Sequence, residues 1–187
     1  MSLKKIFSIS FIIIFFYLVF HHLQLLVYSG NFFSDEINTH AYSIYMPHGL
    51  RILFFLIYGY WCIPGLLIAH ILASLSIEWA SYLDLSYSVL IPTFCVPVAA
   101  LIIEKFKNEI ENKFTITYLV LITVLSTFIN GLVTNILRYC FVNVHDRERF
   151  FDELMGYFIG DISGVVITIL SFLILKRIFI LSIEKVS

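Results

Sequence analysis

Residues 47–77 read PHGLRILFFLIYGYWCIPGLLIAHILASLSI, an apolar run broken in its middle by Gly59-Tyr60-Trp61-Cys62-Ile63-Pro64-Gly65, where a proline and two glycines interrupt it. Crossing a bilayer takes about 20 mostly apolar residues per helix, because no backbone amide can stay unpaired in hydrocarbon. The interruption divides the run into two short spans, 47–60 and 64–77. They are either two tilted helices in a tight hairpin or partly a re-entrant element shielded by neighbouring helices. The hairpin is the preferred reading, and it makes the helix count even.

Outward from this stretch, further apolar runs cover 6–28, 85–103, 115–137 and 154–180. The chain therefore reads as an all-α, polytopic membrane helix bundle of about six transmembrane helices, one integral membrane domain over residues 1–187. Composition agrees: 60% of the 187 residues are hydrophobic and 13% charged, against roughly 45–50% and 25% in soluble domains, and the mean hydropathy is +0.93. No connection is long enough to hold a soluble domain. Lys4 and Lys5 precede an apolar run too long for a secretory signal and lacking a small-residue cleavage site, so it reads as a retained first helix.

Charge gives the orientation. With the N-terminus inside and six helices, Lys4, Lys5, Lys105, Lys107, Lys113, Lys176, Arg177 and Lys185 fall on the cytoplasmic side, and Arg138, Arg147 and Arg149 on the other. This asymmetry fits the positive-inside rule and puts both termini in the cytoplasm. The net charge of −1 excludes nucleic acid as a partner, since phosphate binding needs clustered Lys and Arg.

An ionisable group at membrane depth costs several kcal/mol unless paired or hydrated, so Arg51 and Asp161 are the most informative residues of the chain. Arg51 lies in the first turns of the second span and Asp161 about two turns into the sixth. Both descend from the external face, so they can lie at similar depth and form an ion pair. Other polar residues gather in the same outer half. Tyr17, His21, Gln24 and Tyr28 share one face of the first span; His70, Ser74 and Glu78 stack on the third; Thr127, Asn130, Thr134 and Arg138 on the fifth. With His48 beside Arg51, these stripes predict a hydrated polar cavity open outward. Its candidate ligand-binding residues are Arg51, Asp161, His48, His70, Asn130 and Gln24. For His70 and Asn130 ordinary interhelical hydrogen bonding is the competing reading.

Gly156, Gly160 and Gly164 make two consecutive G-x-x-x-G steps in the sixth span, and Gly65, Ala69 and Ala73 echo them in the third. Such stripes let helix backbones approach closely, and here they would fix Asp161, next to Gly160, in the bundle. Cys62, Cys95 and Cys140 lie far apart and show neither a disulfide framework nor the C-x-x-C spacing of a zinc site. Cys62 and Cys95 read as small buried apolar residues. No G-x-S-x-G, H-E-x-x-H or P-loop is present. The expectation is a protein that is not an enzyme and that carries no metal and no cofactor.

Two stretches carry a family resemblance. Tyr45-Met46-Pro47-His48-Gly49-Leu50, followed by Gly59 and then Pro64-Gly65, resembles the opening motif of the MASE type of bacterial membrane-associated sensor domain. That motif is Trp-Pro-Pro-x-Gly-apolar, then a glycine five residues before Pro-Gly; Tyr45 and Met46 replace its Trp and first Pro. Gly160-Asp161-Ile162-Ser163-Gly164 is similar to the family's late Gly-Asp-x-x-Gly helix and puts its recurring aspartate on Asp161. The chain has fewer helices than the family's usual bundle. Family members normally precede a histidine kinase or a cyclic-dinucleotide enzyme. Here nothing follows, so the resemblance implies a free-standing sensor-like bundle in the bacterial inner membrane that signals through a partner.

Two functions stay open. One is a small-molecule binding and sensing module whose helix packing shifts on binding, acting through a membrane protein partner or a second copy. The other is a small-molecule transporter or the substrate-capture subunit of an importer, with Pro47, Pro64, Pro92 and Pro97 breaking helices along the path. Sensing is preferred, because no inverted repeat is evident. The ligand has no signature in the sequence.

Overall fold

The computed structural model of the protein describes residues 2–29, 44–75, 82–106, 116–141 and 150–184. Within them the chain forms six α-helices: α1 (Leu3–Ser29), α2 (Met46–Tyr58), α3 (Ile63–Leu75), α4 (Tyr82–Phe106), α5 (Ile116–Phe141) and α6 (Phe150–Glu184), with a 3₁₀ turn, Gly59–Cys62, between α2 and α3. Each expected apolar run coincides with one helix. The connections holding Asp35, Glu36 and Glu78 lie outside the described residues.

The helices wear their apolar side outward. Phe7, Phe11 and Leu26 of α1, Ile116 of α5 and Leu175 of α6 are more than 60% exposed, while Arg51 and His48 are 0% exposed and Asp161 1%. Water would reverse that distribution; hydrocarbon favours it, since polar groups at membrane depth must find partners inside the protein. Four stretches, Leu3–Leu26, Met46–Leu75, Ile116–Leu137 and Phe150–Arg177, are long and apolar enough to cross a membrane. The helix α4 is not among them, and Met46–Leu75 counts as a single stretch.

That stretch nevertheless turns back on itself. If it were straight, the 19 residues from Arg51 to His70 would separate them by about 28 Å. Instead Arg51 Nη1 donates to the Pro92 carbonyl at 3.4 Å, and His70 Nδ1 lies 2.9 Å from the hydroxyl of Thr93, the next residue of α4. The reversal is made at Gly59, with φ 59° and ψ −144°, a conformation that L side chains rarely adopt. Its N–H still donates to the Phe55 carbonyl. The fold-back is common to both local readings, and its arms splay: α2 packs on α6 and α1, α3 on α1 and α4.

A Cβ at Gly59 would meet nothing within 4 Å, so substitution there tests backbone conformation alone. Gly59→Ala is expected to cost about 1–3 kcal/mol, read as a lower thermal midpoint in detergent. An unchanged midpoint would show that the reversal does not depend on the positive φ.

The α1–α3 contact is as close as the small-residue stripe predicts. A Cβ on Gly65 would lie 2.9 Å from Ser10 Cα and 3.0 Å from Ile13 Cβ. Seven residues farther along α1, Tyr17 meets His70 edge to face, ring centroids 4.7 Å apart; α1 and α3 therefore run parallel. The helix α4 runs the other way, from Thr93 beside His70 to Glu104, whose carboxylate accepts from the Tyr60 hydroxyl at 3.5 Å. Completing the bundle, α5 packs between α4 and α6. One polar layer consequently crosses the molecule, from Tyr17 through Arg51, His70 and Thr93 to Thr127 and Asp161.

Candidate functional site

Two sequence-distant segments build the site: the N-terminal turn of α2 and the glycine face of α6. Gly160, Gly164 and Thr168 recur every four residues and so lie along one side of α6. Against that side the Tyr45 N–H donates to the Gly160 carbonyl at 2.8 Å, and the Thr168 hydroxyl donates to the Met46 carbonyl at 3.3 Å. Gly49 and Gly164 face each other with no room for a side chain on either. A Cβ on Gly49 would lie 2.6 Å from Thr168 Cβ and 2.7 Å from the Gly164 carbonyl oxygen; one on Gly164 would run into the Tyr45 carbonyl. Gly156, the first glycine of the stripe, is only half-buried.

This close seam sets His48 against Asp161. Nδ1 of His48 lies 3.6 Å from Asp161 Oδ2, and the same oxygen accepts from the Asn130 amide at 2.8 Å. On its other edge His48 Nε2 is 3.1 Å from Ser126 Oγ and 3.3 Å from Thr127 Oγ1. The order Ser126, His48, Asp161 has the connectivity of a hydroxyl, an imidazole and an orienting carboxylate. Ser126, however, donates its proton to the Thr123 carbonyl at 3.2 Å and is 0% exposed.

Arg51, one turn farther along α2, points to α4. Its Nε donates to Pro47 O at 3.4 Å, and Nη1 reaches Pro92 O at 3.4 Å and Cys95 Sγ at 3.6 Å. Its guanidinium carbon lies 5.3 Å from the centre of the half-buried Tyr45 ring, a cation–π contact. Among the described residues Asp161's ion pair is with His48, and no carboxylate lies within ion-pair distance of Arg51. Direct pairing of Arg51 with Asp161, expected from their depth, gives way to a longer-range attraction. The Arg51 charge acts through space on Asp161, His48, His70 and Tyr17.

The remaining candidates are separate from this triad of contacts. His70 is bound by Thr93, whose hydroxyl donates to Val89 O at 2.6 Å. Thr93 therefore accepts from His70 Nδ1–H, which leaves Nε2 of the neutral ring as an acceptor. Gln24 and His21 are buried on the same α1 face as Tyr17, with the Tyr17 and His21 rings stacked at 6.4 Å. The side chains of Tyr28 and Arg138 lie outside those described. Cys62 and Cys95 are buried, as expected, and Cys95 also donates to Pro92 O at 3.4 Å.

The polar side chains are packed on one another rather than spread around open space. Even so, several buried atoms have no hydrogen-bond partner among the described residues, including His21 Nε2, Gln24 Oε1, His48 Nδ1, Arg51 Nη2, His70 Nε2 and Asp161 Oδ1. A groove of about 290 Å³ lies between α5 and α6, lined by apolar residues including Leu119, Val124, Ile162 and Val166, with Thr123 its polar member. This apolar groove is not the polar, outward-open cavity expected from the sequence. No group of three or more metal-ligating side chains occurs among the described residues.

Thr93, Ser126 and the Tyr45 ring were not among the expected site residues. Ser126 lies four residues before Asn130, and the i, i+4 spacing puts it on the Thr127–Asn130–Thr134 face. Thr93 follows Pro92 in the apolar middle of α4, outside the polar stripes read on α1, α3 and α5.

No curated protein and no solved structure matches the chain. The MASE1 family model matches residues 8–185, including both segments of the α2–α6 seam. The chain belongs to the MASE1 family of membrane-associated sensor domains.

Proposed function

We propose that the protein binds a small molecule reaching the polar layer from the external side of the membrane and reports it to a partner by a change in helix packing. The bundle crosses the bacterial inner membrane six times with both termini in the cytoplasm. It carries out no chemistry on its ligand. Its partner is another membrane protein or a second copy. The arms of the α2–α3 hairpin are 13 residues each, about 20 Å, so both cross only with tilt or local thinning of the bilayer.

One observation carries this reading: in the polar layer, buried atoms of His48 and Asp161 at the α2–α6 seam and of Arg51 and His70 beside α4 have no hydrogen-bond partner among the described residues. Each such atom costs about 1–3 kcal/mol, which favours any arrangement that satisfies it. A ligand that engages these atoms in a second packing, and not in this one, shifts the population toward that packing.

The test is binding to the purified protein in detergent, with uptake into proteoliposomes measured in parallel, across labelled vitamins, amino acids and organic acids. Binding without uptake is the expected result. Saturable uptake would overturn sensing and make the protein a transporter.

A further inference from the structure

The geometry points to an oxyanion, carried by a small carboxylate or by phosphate, as the group that this site recognises, with Arg51 as its anchor and the Tyr45 ring as the surface it displaces. The inference rests on the binding reading above and narrows it to one chemistry.

Arg51 is a fully buried guanidinium with no carboxylate in ion-pair contact among the described residues. Its hydrogen bonds go to two carbonyls and a thiol at 3.4–3.6 Å, longer than charge-assisted bonds, and Nη2 has no partner. Asp161, which accepts from Asn130 and lies 3.6 Å from His48 Nδ1, is out of ion-pair reach of Arg51 and acts on it only through space. A planar fork with one open edge matches an oxyanion.

Tyr45 explains how the edge is reached. It is the residue preceding α2, half-buried where Arg51 is wholly buried, and its ring covers the guanidinium at 5.3 Å. It is also hydrogen-bonded to Tyr17. An oxyanion takes the ring's place by exchanging a cation–π contact for charge-assisted hydrogen bonds, the stronger of the two. The exchange moves the residue whose backbone is tied to Gly160, so occupancy is coupled to the α2–α6 seam.

Titration calorimetry on the full chain in detergent, at constant ionic strength set with chloride, uses acetate, lactate and inorganic phosphate as probes, with glycerol and methylammonium as neutral and cationic comparisons. We expect saturable binding of at least one oxyanion, weakened at least 10-fold by R51Q and about 5-fold by R51K, which keeps the charge and loses the fork. Y45A is expected to tighten binding about 5-fold, since the competing ring is gone; it keeps the test decisive if R51Q does not fold. The ratio of phosphate to carboxylate affinity identifies the source of the oxyanion. Binding of only glycerol or methylammonium overturns the inference and leaves the binding reading standing; so does oxyanion binding unchanged in R51K and Y45A. No binding by any probe, here or in the wider panel above, overturns both.

Discussion

Gly164→Ala is expected to lose most of the folded protein. The added methyl carbon meets the Tyr45 carbonyl, with Met46 N at 2.9 Å. These are backbone atoms of the turn that opens α2 and cannot rotate out of the way. Relief requires α2 to move off α6, which breaks the Tyr45-to-Gly160 and Thr168-to-Met46 hydrogen bonds and draws His48 away from Asp161. The expected loss is about 3 kcal/mol, the upper end for overpacking. Gly131→Ala is the matched control: its Cβ would lie 3.2 Å from Tyr157 Cβ and 3.3 Å from the mobile Leu154 Cδ1, contacts relieved by a shift of a few tenths of an ångström rather than by parting two helices. Thermal unfolding and size-exclusion profiles in detergent decide it. Equal behaviour of the two variants would mean that the seam is not the tight contact described.

Asp161→Ala ranks next. It leaves the Asn130 amide without its acceptor and removes the carboxylate 3.6 Å from His48 Nδ1, in a site sealed from water. Removing one partner of a buried charged network costs about 3–5 kcal/mol. Asp161→Asn keeps the shape and an acceptor oxygen and should lose less. Double-mutant cycles separate the partners: His48 with Asp161 is expected to couple by about 1–3 kcal/mol, and Arg51 with Asp161 by less, because that pair is not in contact. A larger Arg51–Asp161 coupling would restore the direct ion pair and displace His48 from its role.

The residues of the site were largely legible in the sequence, and their pairing was not. Asp161, Arg51, His48 and Asn130 stood out because ionisable and amide groups are scarce in apolar helices. Depth estimated from helix position cannot separate residues one turn apart, about 5 Å. His48 and Arg51 differ by three residues, and the seam presents the first of them to Asp161 while α4 takes the second. Glycine spacing in α6 foretold close packing but not that the partner would be the turn before α2. Nothing local marks Thr93 as the residue that fixes the His70 tautomer. The helices themselves were legible from hydropathy and the break at Gly59 from its residue types; the splay of α2 from α3 depends on α1 and α4 and has no local signature.

The length of α6 gives the Gly164 contact a mechanical meaning. Glu184 is 20 residues beyond Gly164 along one unbroken helix, about 30 Å away. Gly164 is therefore a fulcrum with one long arm, and a tilt of about 5° there sweeps the distal end through about 2.6 Å, on the scale of the helix shifts by which interfaces change state. If the polar layer rearranges as proposed, a change too small to alter the bundle's outline would reach the far end of the rod as a displacement of that size.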